Sequence, residues 1–189
     1  MTTRTMTQGF RLAATALVAL AASATTAMAQ KTTQTGVGGG GSPHATTEWT
    51  INDAHLSISY GRPALKGRAE STMMPVGKVW RTGADEATVL TTDKPLTFGA
   101  VTLAPGSYTL NTEPGATAWQ LIFGKLAKPG QWGIPYQPSL EIGRTPMTLT
   151  HATAPVERVT FSIDRTANGG VLKMEWGTTV VTTPFTIGK

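Results

Sequence analysis

The chain has 189 residues with no cysteine, 16 Lys+Arg against 11 Asp+Glu, 21 glycines and 12 prolines. Only 14% of residues are charged and 40% are hydrophobic, which excludes a polyelectrolyte disordered chain and an integral helical membrane protein. The absence of cysteine removes disulfides, thiolate nucleophiles and Cys-ligated zinc, and three histidines would all have to converge to make a three-histidine metal site.

Residues 1–11 carry Arg4 and Arg11 and no acidic residue, 12–24 are rich in Ala, Leu and Val, and Ala27-Met28-Ala29 is a small-x-small site. These three parts predict a signal peptide over 1–29, cleaved before Gln30, and export to the periplasm or beyond the cell. The apolar run falls short of the roughly 20 residues a membrane span needs, so no membrane span is expected after cleavage. Without Arg4 and Arg11 the remaining chain has 14 basic and 11 acidic residues, a net charge of +3 in place of +5. The basic residues are mostly dispersed, not gathered in the stripe that nucleic acid requires, so no nucleic-acid partner is expected.

Residues 30–43 are predicted to be a Gly-rich flexible linker. Gly36, Gly38 and Gly41 fit G-x-G-x-x-G, but that pattern binds phosphate only between a strand and a helix, and here it runs into Ser42-Pro43. A single domain is expected over 44–189.

From Thr46 onward the hydrophobic period is two. Thr47, Trp49 and Ile51, then Leu56, Ile58 and Tyr60, alternate with polar neighbours around an Asn52-Asp53 turn, which predicts a hairpin with one buried face. Further strands are predicted at 87–92, 96–98, 101–103, 107–112, 119–123, 147–151, 159–164, 171–176 and 179–183. Turn sequences such as Ala104-Pro105-Gly106 and Asn168-Gly169-Gly170 separate several of them. The expected class is all-β: an antiparallel β-sandwich, jelly-roll or immunoglobulin-like, with little helix. Residues 61–84 and 125–139 resist the strand reading and form two long loops, where a site is expected.

Five of those 14 basic residues, Arg62, Lys66, Arg68, Lys78 and Arg81, fall between positions 62 and 81, and Asp85 and Glu86 follow at once. As a ligand site, Arg62, Lys66, Arg68 and Arg81 would grip an anion, Trp80 would offer a flat apolar face, and Asp85 and Glu86 would be available for proton transfer. As scaffold, Arg62 or Arg81 would bridge to Asp85 or Glu86 and tie the loop to the sheet. Adjacent strand residues point to opposite faces, which disfavours Asp85 and Glu86 as a catalytic pair.

The blocks YGRPALKGR (60–68), PVGKVWRTGADEAT (75–88) and LAPGSYTL (103–110) resemble bacterial secreted proteins grouped as domain of unknown function 2911. Trp119–Ile122, Gln131-Trp132-Gly133 and Trp176 are also similar, so the resemblance spans about 42–187. Asp85 stands where the family pattern has Asn, and 69–74 lacks the family's aromatic and glycine. The resemblance implies a secreted β-rich domain and supplies no catalytic residue.

His44, His55 and His151 show no metal-ligand spacing, and no metal or cofactor is expected. Glu141, Glu157 and Glu175 are candidate glycosidase carboxylates, and Trp119, Trp132, Trp176 and Tyr136 a candidate sugar platform. Two functions follow. One is a non-catalytic binding or envelope module for a glycan, peptide or anionic small molecule. The other is a hydrolase of a glycan or anionic substrate acting through Arg81 with Asp85 or Glu86.

Overall fold

A computed structural model of the chain describes residues 30–189; the expected signal peptide over 1–29 lies outside the described residues. The strands are β1 (Lys31–Val37), β2 (Pro43–Ile51), β3 (Ala54–Gly61), β4 (Thr88–Thr92), β5 (Leu96–Phe98), β6 (Val101–Leu103), β7 (Gly106–Glu113), β8 (Ala118–Lys125), β9 (Glu141–Thr166) and β10 (Gly169–Ile187). Helix is confined to one turn, α1 (Glu70–Met73), and a 3-10 turn at Pro138–Leu140. None of the helices in the described residues is long and apolar enough to cross a membrane. The class is all-β, and all ten strands pair antiparallel in the order β1-β2-β3-β4-β7-β8-β9-β10-β5-β6. Hydrogen bonding thus runs continuously through one sheet, where a sandwich of two separately paired sheets was expected.

Alternation explains most of the pairing. In β2 and β3, Trp49, Ile51, Leu56, Ile58 and Tyr60 are buried while Glu48 and His55 stand outward, and Asn52 takes φ 56° in the turn, a conformation Asn tolerates. The sheet bends around one core to which strands from β2 to β10 contribute. Tyr60 on β3 meets Phe161 on β9 edge to face, with ring centroids 4.9 Å apart, although these strands are not neighbours in the sheet. Each fully buried Leu, Ile or Phe contributes roughly 1.5–3 kcal/mol, so this core carries the fold.

The segments predicted at 147–151 and 159–164 are one strand, β9, and those at 171–176 and 179–183 are one strand, β10. The interruptions read from the sequence are bulges: register shifts flank Gly177, whose φ is +63°. The strand β10 as a whole bends back on itself. A straight strand of 19 residues spans about 60 Å, yet the Ile187 N–H donates to the carbonyl of Asn168, just before β10 begins, at 2.8 Å.

Residues 30–43, expected as a flexible linker, include the seven-residue strand β1, which pairs with β2 from Lys31↔Glu48 to Val37↔Pro43. All seven residues are exposed, so no buried face announces the strand. It is held by main-chain pairing, by Thr32 Oγ1 to Thr47 Oγ1 at 3.0 Å, and by Gln30, whose amide donates to the Phe161 carbonyl at 3.2 Å.

The two long loops are present. The first runs from β3 to β4. Its start adds to the edge of β9 through an Ala64↔Arg158 bridge, with the Leu65 N–H donating to the Glu157 carbonyl at 2.9 Å. Its middle is pinned by Glu70. Oε1 accepts from the Thr178 N–H at 2.7 Å and its hydroxyl at 3.1 Å; Oε2 accepts from the Thr179 N–H at 3.0 Å and its hydroxyl at 2.5 Å. The bulge at Gly177 frees these N–H groups from the ladder, and a carboxylate satisfies them.

Candidate functional site

The loop returns to the sheet at Trp80, which exchanges two main-chain hydrogen bonds with Thr112 at 2.7 and 2.9 Å. Two residues on, Thr82 has φ 56°, an outlying conformation for a β-branched side chain. It is buried, and its neighbours hold it: its hydroxyl bonds to Thr112 Oγ1 at 3.1 Å, and its carbonyl accepts from Thr88 Oγ1 at 3.1 Å. Asp85 follows with φ 64° and is also buried. This contorted turn allows neighbouring residues to face a common space, which an extended strand forbids.

That space is a cleft of about 680 Å3. Lys66, Arg68, Trp80, Arg81 and Asp85 line it together with Arg158 from β9, and the turn at Gly40–Pro43 forms one side. Trp80 stacks on the buried Trp176 with ring centroids 5.4 Å apart and planes 13° from parallel. Trp176 is itself anchored by its indole N–H on the Glu157 carbonyl at 3.1 Å. Arg68 donates from Nε to the Leu65 carbonyl at 2.9 Å and from Nη2 to the Ala64 carbonyl at 2.6 Å. Ala64, whose carbonyl accepts from Arg68, pairs by its main chain with Arg158, and both arginines line the cleft. Arg81 stands elsewhere, its Cδ filling the space that a side chain at Gly133 would need.

Lys66, Arg68, Arg81 and Arg158 form no ion pair among the described residues. Arg81 Nε is buried and has no hydrogen-bond partner among the described residues. Buried N–H groups are nearly always paired, so an orphan on a guanidinium at the wall of a cleft demands an account.

The expected bridges from Arg62 or Arg81 to Asp85 or Glu86 do not form. His44 takes their place: Nε2 lies 3.1 Å from Asp85 Oδ2, and Nδ1 lies 3.4 Å from Glu86 Oε2. The second contact is a close approach only, since Glu86 Oε2 accepts no hydrogen bond among the described residues. Asp85 Oδ1 accepts from the Gly40 N–H at 3.1 Å, so both Asp85 oxygens are engaged and both ring nitrogens of His44 face carboxylates. Glu86 does not line the large cleft; it borders a separate hollow of about 330 Å3 beside Thr35 and Gln131. Arg62 also lies outside the cleft. It donates from Nε to the Val159 carbonyl and from Nη2 to Thr160 Oγ1, both at 3.1 Å, with its guanidinium 5.9 Å from the Tyr60 ring centroid.

The remaining candidates are dispersed. Glu141 is clasped by Arg144, Nε to Oε1 at 2.7 Å and Nη2 to Oε2 at 2.9 Å, and also accepts from the Tyr136 hydroxyl. Arg144, with burial opposing and Tyr136 assisting, holds the Glu141 carboxyl below its ordinary range. Glu157 accepts the Lys66 N–H at 2.7 Å, and Glu175 pairs with Lys173 at 3.4 Å. Trp119 and Trp176 are core residues, whereas Trp132 is 49% exposed. No cluster of three His, Asp or Glu among the described residues could hold a metal ion.

Three participants escaped the sequence reading. His44 lay at the edge of an assumed linker, Arg158 is one unpatterned charge on a strand, and Glu70 sits in an irregular loop. Only pairing across 41, 94 and 108 residues respectively gives each its place.

In comparison with known families, the profile of a family described as a protein of unknown function (DUF2911) matches residues 42–185. Neither the curated proteins nor the solved structures give a match.

Proposed function

The chain belongs to the DUF2911 family, and from that premise we propose that it is an exported, non-catalytic module that binds an anionic ligand in the cleft between the β3–β4 loop and β9. The observation that carries this reading is that Lys66, Arg68, Arg81 and Arg158 line one cavity without an ion pair among the described residues, with the Arg81 Nε–H buried and unsatisfied there. A guanidinium donates in a planar fork that fits carboxylate, sulfate or phosphate, and an anion in the cleft would supply the counter-charge that these cations lack. Among the described residues Asp85 is the single acidic one lining the cleft, and His44 and Gly40 already occupy its oxygens. A general acid or base must reach the proton it transfers, and this carboxylate is turned to the scaffold. The leader at 1–29 supports export, and the dispersed charge elsewhere supports a small or glycan ligand over nucleic acid.

The test is thermal melting of the purified protein with sulfate, citrate, benzoate and galacturonate, beside Arg81→Gln. A ligand that binds the folded state raises the melting temperature by mass action. The expected outcome is a rise with at least one anion that Arg81→Gln abolishes. No rise with any of them, or an equal rise in Arg81→Gln, would overturn the reading. Secreted material should begin at Gln30 by mass spectrometry.

A further inference from the structure

Arg81, Gly83, Ala84 and Asp85 line the cleft, and at Gly83, which has no side chain, the main chain itself forms the wall. The rest of the protein uses the carbonyls of this turn but not its N–H groups. The Thr82 carbonyl accepts from Thr88 Oγ1 at 3.1 Å, and the Asp85 carbonyl accepts from the Gly133 N–H at 3.0 Å. The N–H groups of Thr82, Gly83, Ala84 and Asp85 donate to no acceptor among the described residues. All four residues are buried, and buried main-chain N–H groups are almost always paired. The hand of the backbone changes twice along the turn, at Thr82 with φ 56° and at Asp85 with φ 64°. Such changes of hand tilt successive N–H groups into one concavity, the nest that receives anions. Strain held at a β-branched residue such as Thr82 is a mark of function. The buried Arg81 Nε–H, also without an acceptor, adjoins this run of donors in the chain.

Those donors select the shape of the anion. A carboxylate has two oxygens in one plane, and a single arginine fork engages both. A tetrahedral oxyanion directs its oxygens apart and accepts from a main-chain concavity and a guanidinium together. The Gly-rich turn across the cleft is not a second cradle: its Gly38 N–H donates to Ser42, its Gly41 N–H to Gly38 and its Gly40 N–H to Asp85. Charge then favours phosphate over sulfate. Lys66, Arg68, Arg81 and Arg158 line the cleft without an ion pair among the described residues. A phosphomonoester brings about −1.5 to −2 charges at pH 7, against the single charge of a sulfate ester. The Asp85 carboxylate is engaged by His44 and the Gly40 N–H. A cleft of about 680 Å3 is of the size that takes a small organic molecule, which favours an ester over the free ion.

Resting on the anion-binding function proposed above, we infer that the turn at 81–85 is a main-chain nest for the phosphate of a small phosphomonoester. The N–H groups of 82–85 and the Arg81 guanidinium hold the phosphate oxygens, and the body of the ester occupies the rest of the cleft, which Trp80 lines. The interaction is non-covalent and changes no bond.

The experiment is titration of the whole protein with phenyl phosphate, inorganic phosphate, phenyl sulfate and benzoate, followed by amide proton–nitrogen correlation spectra. Arg81→Gln and, as a distant control, Lys128→Gln are titrated in parallel. Phenyl phosphate should move the amide protons of Gly83, Ala84 and Asp85 downfield, as new hydrogen bonds to an anion do. It should bind about tenfold or more tightly than phenyl sulfate or benzoate, as one added charge-assisted contact predicts. Arg81→Gln should weaken it about tenfold or more by the same measure, and Lys128→Gln should not. Binding that Arg81→Gln abolishes, with the 82–85 amides unmoved, would overturn the nest and leave the anion-binding function standing. Benzoate or phenyl sulfate bound as tightly as phenyl phosphate would overturn the choice of phosphate. Inorganic phosphate bound as tightly as phenyl phosphate would overturn the ester in favour of the free ion. Failure of every anion would overturn both the inference and the function it rests on.

Discussion

His44 Nε2 lies 3.1 Å from Asp85 Oδ2, joining the first residues of β2 to the end of a loop 41 residues away. The contact closes a small assembly in which Gly40 donates its N–H to the other Asp85 oxygen. It fixes the turn after β1, the edge of the cleft and the left-handed backbone at Asp85 together. The carboxylate thus anchors the loop, as a scaffold reading of the sequence requires, but its partner is a histidine and a glycine N–H in place of an arginine.

Asp85→Ala is expected to destabilise the protein by about 1.5–3.5 kcal/mol. It removes the hydrogen bond from the N–H of the exposed Gly40, a net loss of about 0.5–1.5 kcal/mol, and places Ala at φ 64°, a further penalty of about 1–2 kcal/mol. Asp85→Asn should cost less, about 1 kcal/mol, because Asn accepts the Gly40 N–H and tolerates that backbone. Urea denaturation of both variants checks the order; equal losses would contradict this role for Asp85.

Gly38→Ala probes the same assembly from the other side. A Cβ at Gly38 would stand 1.9 Å from Asp85 Oδ2 and 2.4 Å from His44 Nε2. Either the turn or the His44–Asp85 contact must give way to admit it, at an overpacking cost of about 1–3 kcal/mol. Gly39→Ala, where nothing lies within 4 Å, serves as the control and should be nearly neutral. Hydrogen exchange should show β1 opening in the first variant and remaining protected in the second.

Glu70 gives a pH dependence. Burial opposes its ionisation, but the hydrogen bonds from Thr179 and Thr178 outweigh that and hold its carboxyl below the ordinary glutamate range. A carboxyl depressed in the folded state contributes stability that is fully present above its unfolded value, about 4.3, and is lost as pH falls through the folded value. Glu141 titrates in the same direction. Stability should therefore decline below about pH 4.3, and Glu70→Gln should flatten part of that decline while costing about 1–2 kcal/mol at pH 7. Melting temperatures of both proteins between pH 3 and 7 test the difference in slope.

Arg62 and Arg81 should respond oppositely to replacement. Arg62→Lys loses the paired contacts to Val159 and Thr160 that hold the end of β3 to β9, a loss of about 1–2 kcal/mol. Arg81→Gln removes a buried donor that has no partner, so its stability should stay within about 0.5 kcal/mol of the parent or rise. Equilibrium unfolding of the two variants without ligand measures this. A loss at Arg81 equal to that at Arg62 would show that Arg81 serves the scaffold.

The sequence by itself determined the all-β class, the β2–β3 hairpin around Asn52, the positions of β5 and β6, and the two irregular stretches. These are local quantities: a period of two over residues such as Trp49 and Ile51 records a buried face, and turn residues record where the chain reverses. It also gathered Lys66, Arg68, Trp80, Arg81 and Asp85 into one segment, and all five line the cleft. Only tertiary structure decided the rest. β1 buries nothing, so its pairing leaves no hydrophobic trace. The continuity of β9 and β10 depends on a bulge at Gly177 that a distant Glu70 completes. Which cation is held follows from contacts across 90 or more residues in the case of Arg62, and from the absence, among the described residues, of any ion pair or Nε partner in the case of Arg81. Charge is written in the sequence, but its compensation is set by distance in space, and the sheet's bend around its core fixes that distance.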